Sequence, residues 1–280
     1  MSVAILDAHQ HCWQLGKHAC QWPTPELEAI YRDFMPADFL AEAEGSAVTG
    51  SILVQSQPAL EDTHFLLDLA RQHRHILGVV GWVDLSAESA VADIARLARD
   101  PKLVGLRPML QGLDADDWIL TAARPEALAT MAEHGLVLDA LVYSRHLPFI
   151  HTLAARQPDL RIVLDHAAKP DIARREGESW ERPLAELAAC PNVYCKLSGL
   201  ATEMSPDQPW ESMLPYIRHL LGAFGPERVL WGSDWPVLNL AGDYSRWLSY
   251  CWQAVEEICP LQVADVFCHA AERAYRVVNH

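Results

Sequence analysis

Three histidines and one aspartate stand in the sequence where short apolar segments end. His9 and His11 are two residues apart, and in an extended segment of period two they point to the same side. His166 and Asp234 follow two later apolar segments. Imidazoles and a carboxylate brought together can hold a divalent cation, or can act as proton donors and a general base. The alternatives are surface histidines in a loop, a packed His166 and an Asp234 that only stabilises a turn.

Two basic residues lie in apolar segments. Arg107 precedes Pro108, which keeps the chain extended at that point. Its guanidinium is suited to bind a carboxylate or to polarise a carbonyl oxygen, and an ion pair with Asp139 is the structural alternative. Lys196 also lies in an apolar segment, where a lysine must find a carboxylate or a ligand.

Indole rings are numerous, with ten Trp in the chain. Trp13, Trp82 and Trp235 could stack on a sugar-like ring. Packing in the core is the simpler explanation for most of the ten.

These residues need a scaffold that brings distant segments to one place. Apolar segments of strand length alternate with segments of helical spacing. This alternation predicts an α/β fold, and eight repeats predict a distorted (β/α)8 barrel that forms one domain over residues 1–280. The longer connections follow the strands, so their loops crowd the carboxyl face where barrel enzymes keep their chemistry. The predicted strands are Val3–Leu6, Val48–Gln55, Leu77–Val83, Leu103–Arg107, Leu136–Val142, Arg161–Asp165, Val193–Leu197 and Val229–Trp231.

Composition narrows the class of partner. The 280 residues include 22 Lys and Arg against 37 Asp and Glu, a formal net charge of −15. This balance argues against binding to nucleic acid or to an anionic membrane. The apolar segments are too short to span a bilayer, and the first residues lack the pattern of a signal peptide. Seven Cys without a C-x-x-C pair are typical of reduced thiols, so we expect a cytoplasmic protein.

Four motifs together resemble the lactonase branch of the amidohydrolase superfamily, whose members include sugar-acid lactonases. They are Asp7-Ala-His-Gln-His-Cys-Trp13, Leu164-Asp-His-Ala-Ala-Lys-Pro170, Cys195-Lys-Leu-Ser-Gly-Leu200 and Gly232-Ser-Asp-Trp-Pro236. The resemblance implies a distorted (β/α)8 barrel that hydrolyses a cyclic ester. It also implies that His9, His11, His166 and Asp234 occupy active-site positions. Arg107 matches the substrate-contacting arginine of the family.

We therefore predict a hydrolase that opens a sugar-acid lactone, an aldono- or aldaro-lactone, with Asp234 as the general base. His166 and Arg107 complete the catalytic set, and the substrate contacts are His9, His11, Arg107, Trp13 and Trp235. The alternatives are a metal-dependent decarboxylase of the same superfamily and a barrel that binds without catalysis. The partner is a small-molecule sugar lactone; the sequence does not indicate an oligomeric state.

No cofactor is strictly required in this interpretation. One divalent ion such as zinc is the most that we expect, with His9, His11 and Asp234 as its ligands. In this superfamily a two-metal site needs a bridging acid or modified lysine on strand 4 and a histidine on strand 5. Strand 4 ends instead in Arg107, and strand 5 contains no histidine.

Overall fold

A computed structural model describes residues 3–279. Eight parallel strands form one sheet in the order β1 to β8. The strands alternate along the chain with helices that surround them, so the predicted single-domain (β/α)8 barrel is confirmed. The strands are β1 (Ile5–Gln10), β2 (Val48–Val54), β3 (Ile76–Gly81), β4 (Leu103–Leu106), β5 (Val137–Ala140), β6 (Ile162–Leu164), β7 (Val193–Leu197) and β8 (Val229–Trp231).

The helices return the chain from the carboxyl end of each strand to the amino end of the next. Several begin with proline at the first or second position, where a missing N–H costs no helical hydrogen bond. The helices are α1 (Pro36–Glu42), α2 (Leu60–Gln72), α3 (Ala90–Leu97), α4 (Trp118–Thr121), α5 (Pro125–Glu133), α6 (Leu147–Arg156), α7 (Glu178–Ala188), α8 (Leu214–Phe224), α9 (Tyr244–Ile258) and α10 (Ala270–Tyr275).

The barrel interior is apolar towards the amino ends of the strands. Alternate strand residues such as Ile52, Val80 and Val163 form a buried cluster inside the barrel, as the period-two geometry of strands requires. Tyr275 of α10 belongs to the same cluster. Chemistry is thereby confined to the carboxyl end, where polar side chains enter the barrel.

The carboxyl ends of β1 and β8 come together and nearly close the barrel. The backbone N–H of His11 donates to the carbonyl of Trp235 at 2.8 Å, and the N–H of Asp234 donates to the carbonyl of His9 at 2.8 Å. Gly232 makes this approach possible, because a Cβ there would lie 2.8 Å from the Cβ of His9. These contacts bring residues 9–11, near the start of the sequence, next to residues 232–235, near its end.

The bounds of β1 to β6 differ from the predicted ones, and the largest difference is at the carboxyl end of β1. β1 was predicted to end at Leu6 but continues to Gln10, because Asp7 is fully buried and its carboxylate is satisfied. Asp7 accepts hydrogen bonds from the N–H groups of His9 and Ser233 and from the hydroxyl of Tyr244. A polar residue therefore did not end the strand, and His9 lies within it.

Within residues 3–279, the helices are all too short or too polar to cross a bilayer.

Candidate active site

Four side chains meet at the carboxyl end of the barrel, and we call them the His/Asp cluster: His9, His11, His166 and Asp234. Nε2 of His9 lies 3.2 Å from Nε2 of His11. Oδ1 of Asp234 lies 3.3 Å from Nε2 of His11, 3.6 Å from Nε2 of His9 and 3.9 Å from Nε2 of His166. All four residues are buried. The structure thus brings together the four residues that the sequence singled out.

Hydrogen bonds outside the cluster orient two of its rings. Nδ1 of His11 lies 2.8 Å from the carbonyl oxygen of Val54, so Nδ1 donates to this carbonyl and Nε2 faces the cluster. Nδ1 of His166 lies 2.8 Å from the hydroxyl of Ser198. Because a hydroxyl either donates or accepts, both tautomers of His166 are compatible with this contact.

Unusual backbone geometry aims His166 and Asp234 into the barrel. Residues 166–169 all have positive φ, between 49° and 59°, and Asp234 has a φ of 58°. Non-glycine residues rarely adopt this region, and such strain concentrates at functional sites. Gly199 faces this turn, and a Cβ on it would lie 2.5 Å from Nδ1 of His166. No sequence pattern indicates a run of left-handed residues without glycine. The sequence therefore predicted the place of His166 at the site but not the backbone conformation that directs its ring there.

A chain of buried charges lies beneath the cluster. Nζ of Lys196 is 2.6 Å from Oδ2 of Asp139, 2.9 Å from Oδ1 of Asp165 and 3.0 Å from Nδ1 of His9. Nη1 of Arg107 is 3.1 Å from Oδ2 of Asp165. Positive and negative groups therefore alternate, which is the arrangement that buried charges need.

The ion pair between Arg107 and Asp139, which we considered from the sequence, is absent from the described structure. Asp139 pairs with Lys196 instead, and Arg107 pairs with Asp165 and donates to the carbonyl of Gln55. Asp165 was missed as part of the site. Its position directly before His166 in the sequence could have identified it as a site residue, but only the histidine was assigned to the site.

The cluster contains a carboxylate beside two neutral imidazoles, those of His9 and His166. Burial alone would raise the pKa of Asp234, but the surrounding imidazoles of His166, His11 and His9 outweigh it and hold the pKa below its ordinary value. Burial lowers the pKa of His166 to about 4. Burial and the neighbouring ammonium of Lys196 keep the pKa of His9 well below its ordinary value. At neutral pH Asp234 is therefore ionised while His9 and His166 are neutral.

Burial and nearby cations also set the pKa values of the two carboxyls beneath the cluster, Asp165 and Asp139. Burial opposes ionisation of Asp165, but Lys196, His9 and Arg107 together hold its pKa well below the ordinary value. Burial raises the pKa of Asp139 to about 6, although Lys196 works against it. Asp165, which contacts two cations, is the firmly ionised member of the pair.

With this geometry in place, comparison with known proteins shows the family. A family model described as amidohydrolase matches residues 6–277. This chain belongs to the amidohydrolase family.

The amidohydrolase has close relatives of known activity and structure. It is 49% identical over 276 residues to an L-fucono-1,5-lactonase of Burkholderia ambifaria, covering 97% of this chain and 95% of the relative. It is 36% identical over 261 residues to an L-fucono-1,5-lactonase of Burkholderia multivorans, covering 88% and 86%. A crystal structure of an amidohydrolase from Burkholderia multivorans with bound zinc superposes with a TM-score of 0.91 at 33% identity, covering 98% and 100%. The resemblance inferred from the four motifs is confirmed.

The His/Asp cluster of this amidohydrolase opens onto a cavity of about 960 Å³. His11, Arg107, His166 and Asp234 belong to its wall. Three indoles also line it: Trp22, Trp82 and Trp118. Its size is within the range of small-molecule sites, which is about 300–1,000 Å³.

Two of the tryptophans chosen from the sequence lie behind the wall of the cavity. Trp13 and Trp235 are each 1% exposed. Both rings pack edge-on against Phe34, and the indole N–H of Trp13 donates to the carbonyl of Arg32. They are packed in the core, as the simpler interpretation of the tryptophans had it. Trp82 does reach the cavity wall. Trp22 also lines the cavity; it lies in the long loop after β1, and the composition of that loop did not identify Trp22 as a site residue.

The cluster fits a single divalent ion. Tetrahedral zinc with bonds of about 2.0–2.1 Å needs ligand atoms about 3.3–3.4 Å apart. The separations among Nε2 of His9, Nε2 of His11 and Oδ1 of Asp234 are 3.2–3.6 Å. One ionised carboxylate and a neutral His9 are also the protonation states that metal ligation requires. These three residues are therefore able to hold one ion.

Proposed function

We propose that this amidohydrolase hydrolyses the ring ester of a sugar-acid lactone, with L-fucono-1,5-lactone as the first substrate to test. The observation that carries the proposal is the ionised Asp234 among the imidazoles of His9, His11 and His166, on the wall of a cavity large enough for a sugar ring. The 49% identity to an L-fucono-1,5-lactonase over nearly the whole of both chains supports the same reaction and suggests the sugar.

Asp234 acts as the general base. Its ion-pair and hydrogen-bond contacts within residues 3–279 involve Oδ1, which leaves Oδ2 to accept the proton of a water molecule. That water attacks the lactone carbonyl and forms the new C–O bond. The ring C–O bond then breaks, and the protonated Asp234 returns its proton to the leaving hydroxyl. The new carboxylic acid ionises, so one proton is released to solvent for each ring opened.

The carbonyl oxygen gains negative charge during the attack and needs donors. Arg107 and His166 both line the cavity. Arg107 carries a permanent charge that Asp165 and the Gln55 carbonyl hold in place, so the group requires little reorganisation. His166 donates from Nε2 in the tautomer whose Nδ1 accepts from Ser198. We assign both as stabilisers of the developing oxyanion.

Contacts to the sugar ring come from the cavity wall. His11 contacts the substrate directly, while the more deeply buried His9 acts through His11 and Asp234. Trp22, Trp82 and Trp118 replace Trp13 and Trp235 as the rings on which the apolar face of a sugar can stack.

A divalent ion held by His9, His11 and Asp234 would supply Lewis-acid polarisation of the carbonyl group and a lower pKa for the attacking water. The residues assigned above perform the same tasks directly, since Asp234 is ionised in either case. We propose at most one such ion, and activity that does not depend on it absolutely.

A pH-indicator assay on a panel of aldonic and aldaric lactones, in both enantiomeric series, tests this function. We expect acid release from a subset of sugar lactones, with L-fucono-1,5-lactone among them. Carbon dioxide released from aromatic acids without any lactone turnover would support a decarboxylase instead. Binding of lactones without acid release would support a barrel that only binds.

A further inference from the structure

The cavity wall carries four charged side chains: Asp84, Arg107, Lys169 and Asp234. Two of them are cations, and each cation already has a carboxylate partner. Arg107 pairs with Asp165 at 3.1 Å. Nζ of Lys169 lies 3.4 Å from Oε1 of Glu203. Within the described residues, the wall therefore offers an incoming ligand no cation that lacks an acidic partner.

The pair between Lys169 and Glu203 is built by the backbone and is not a chance surface contact. Lys169 ends the left-handed run that begins at His166. Glu203 lies in a single turn after β7, where its N–H donates to the carbonyl of Leu200 and its carbonyl accepts from the N–H of Ala173. The two side chains are only 19% and 20% exposed. A partly buried pair is screened less than an exposed one.

The rest of the wall suits an uncharged, hydroxylated ring. Besides three indoles it contains the neutral polar side chains of Gln21, Ser56, Gln57, Ser86 and Gln111. Oε1 of Gln111 is buried without a hydrogen-bond partner in the described structure, so it can accept from a substrate hydroxyl. Asp84 and Asp234 add negative charge. A lactone with a second, ionised carboxyl group would meet two carboxylates and no free cation.

We propose that Glu203 is a specificity-determining residue, which neutralises Lys169 and thereby restricts the site to lactones without a carboxylate. This inference rests on the proposed lactone hydrolysis and selects aldonic over aldaric lactones within it. Removal of the Glu203 charge leaves the Lys169 ammonium free to pair with a carboxylate of the ligand. The site then gains an anion-binding position without any change in Asp234.

The test compares two probes that differ only at C6, glucono-1,4-lactone with a hydroxymethyl group and glucaro-1,4-lactone with a carboxylate. Each is measured as a competitive inhibitor of the wild-type enzyme against its fastest lactone substrate, at pH 7.5 and low salt. The same constants are measured for Glu203→Gln, for Glu203→Gln combined with Lys169→Met, and for Glu257→Gln. Glu257 is an exposed partner of Arg218, so this variant makes the same change in net charge away from the cavity.

We expect wild type to bind the glucono probe more tightly than the glucaro probe. In Glu203→Gln the inhibition constant of the glucaro probe should fall about tenfold, the range of a partly buried ion pair, while that of the glucono probe changes less than twofold. Added Lys169→Met should reverse the gain, and Glu257→Gln should not reproduce it. An unchanged preference in Glu203→Gln, or a gain that survives Lys169→Met, would overturn the proposal.

Failure of the proposed function has a different signature. If wild type hydrolyses no lactone, the inhibition assay cannot be run, and the two probes are then titrated by calorimetry on the same four proteins. The expected shift in affinity for the glucaro probe is the same, and its absence overturns the role of Glu203 independently of catalysis.

Discussion

Nζ of Lys196 lies 2.6 Å from Oδ2 of Asp139, and neither side chain exposes any surface to solvent. The same ammonium contacts Asp165 and His9, and Tyr275 of α10 donates to Asp139 from below. A buried ion pair therefore supports the His/Asp cluster at the carboxyl end of the barrel, and Tyr275 links this pair to the last helix, α10. From the sequence, Lys196 was expected to find a carboxylate or a ligand, and in the structure it pairs with two carboxylates.

Replacing Lys196 by methionine should destabilise the fold strongly. Two buried carboxyls, Asp139 and Asp165, lose their shared cation, and an uncompensated buried charge costs about 3–5 kcal/mol. Denaturant unfolding gives the free energy directly. The control is Arg182→Met, whose exposed pair with Glu186 is worth less than about 1 kcal/mol. Equal unfolding midpoints for the two variants would contradict the structural role of Lys196.

Arg107→Met should reduce both activity and stability. A guanidinium that only faced the substrate would leave no partner behind, so its removal would reduce activity with little loss of stability. In the structure Arg107 pairs with the fully buried Asp165. We therefore expect a loss of about 3 kcal/mol in the free energy of unfolding along with a lower kcat/KM. A variant with wild-type stability and reduced kcat/KM would show that Arg107 acts on the substrate without a structural role.

The sequence predicted the scaffold and the His/Asp cluster because both follow from local patterns. Strand periodicity places His9 and His11 on one side, and parallel strands bring their carboxyl ends to one face of the barrel, where His166 and Asp234 join them. β7 and β8 have the predicted bounds, since both lie between clear turn signals.

The partners inside the barrel could not be predicted in the same way. Which carboxylate meets Arg107 depends on the stagger of strands that are distant in sequence, and a spacing argument has no access to it. Trp13 and Trp235 look like ligand-stacking residues because they flank the motifs, but burial against Phe34 decides their role. The contributions of Trp22 and Trp118 depend on the path of long loops.

Asp62 gives the fold a measurable pH dependence. Its Oδ2 accepts from the N–H groups of Ser56 and Gln57 beside the cavity, and burial raises its pKa from 3.8 to about 6. A raised pKa means that the folded state holds the proton more tightly. The stability from this site is therefore complete below pH about 4 and is lost as the pH rises towards 6.

Asp62→Asn removes this titration while keeping one oxygen that accepts both N–H groups. The free energy of unfolding of wild type minus that of Asp62→Asn should fall by roughly 2–3 kcal/mol between pH 4 and pH 7. Denaturant unfolding of both proteins at pH 4, 5, 6 and 7 measures the difference. A difference that stays constant would show that Asp62 titrates near its ordinary value, and one that rises with pH would show that folding lowers its pKa.

Metal content should not exceed one divalent ion per chain. The separations among the His9, His11 and Asp234 ligand atoms fit one ion, and Lys196 and Arg107 occupy the positions beside His9 where a second cation would be repelled. Elemental analysis of wild type should give at most one ion per chain. His11→Ala should contain less metal than wild type. Lactonase activity should survive thorough chelation at least in part, because Asp234 is ionised without the ion. Two ions per chain would contradict the first statement. Complete loss of activity that one equivalent of zinc restores would contradict the second.

The role of Asp234 as the base is the central claim, and kcat for lactone hydrolysis by Asp234→Asn tests it most directly. An amide cannot accept the proton of the attacking water, so kcat measured by proton release should fall about 10²- to 10⁴-fold. Asp84→Asn changes the other carboxylate of the same cavity wall and should stay within a few-fold of wild type. If Asp234→Asn is folded, binds the lactone and turns it over at the wild-type kcat, Asp234 is not the base.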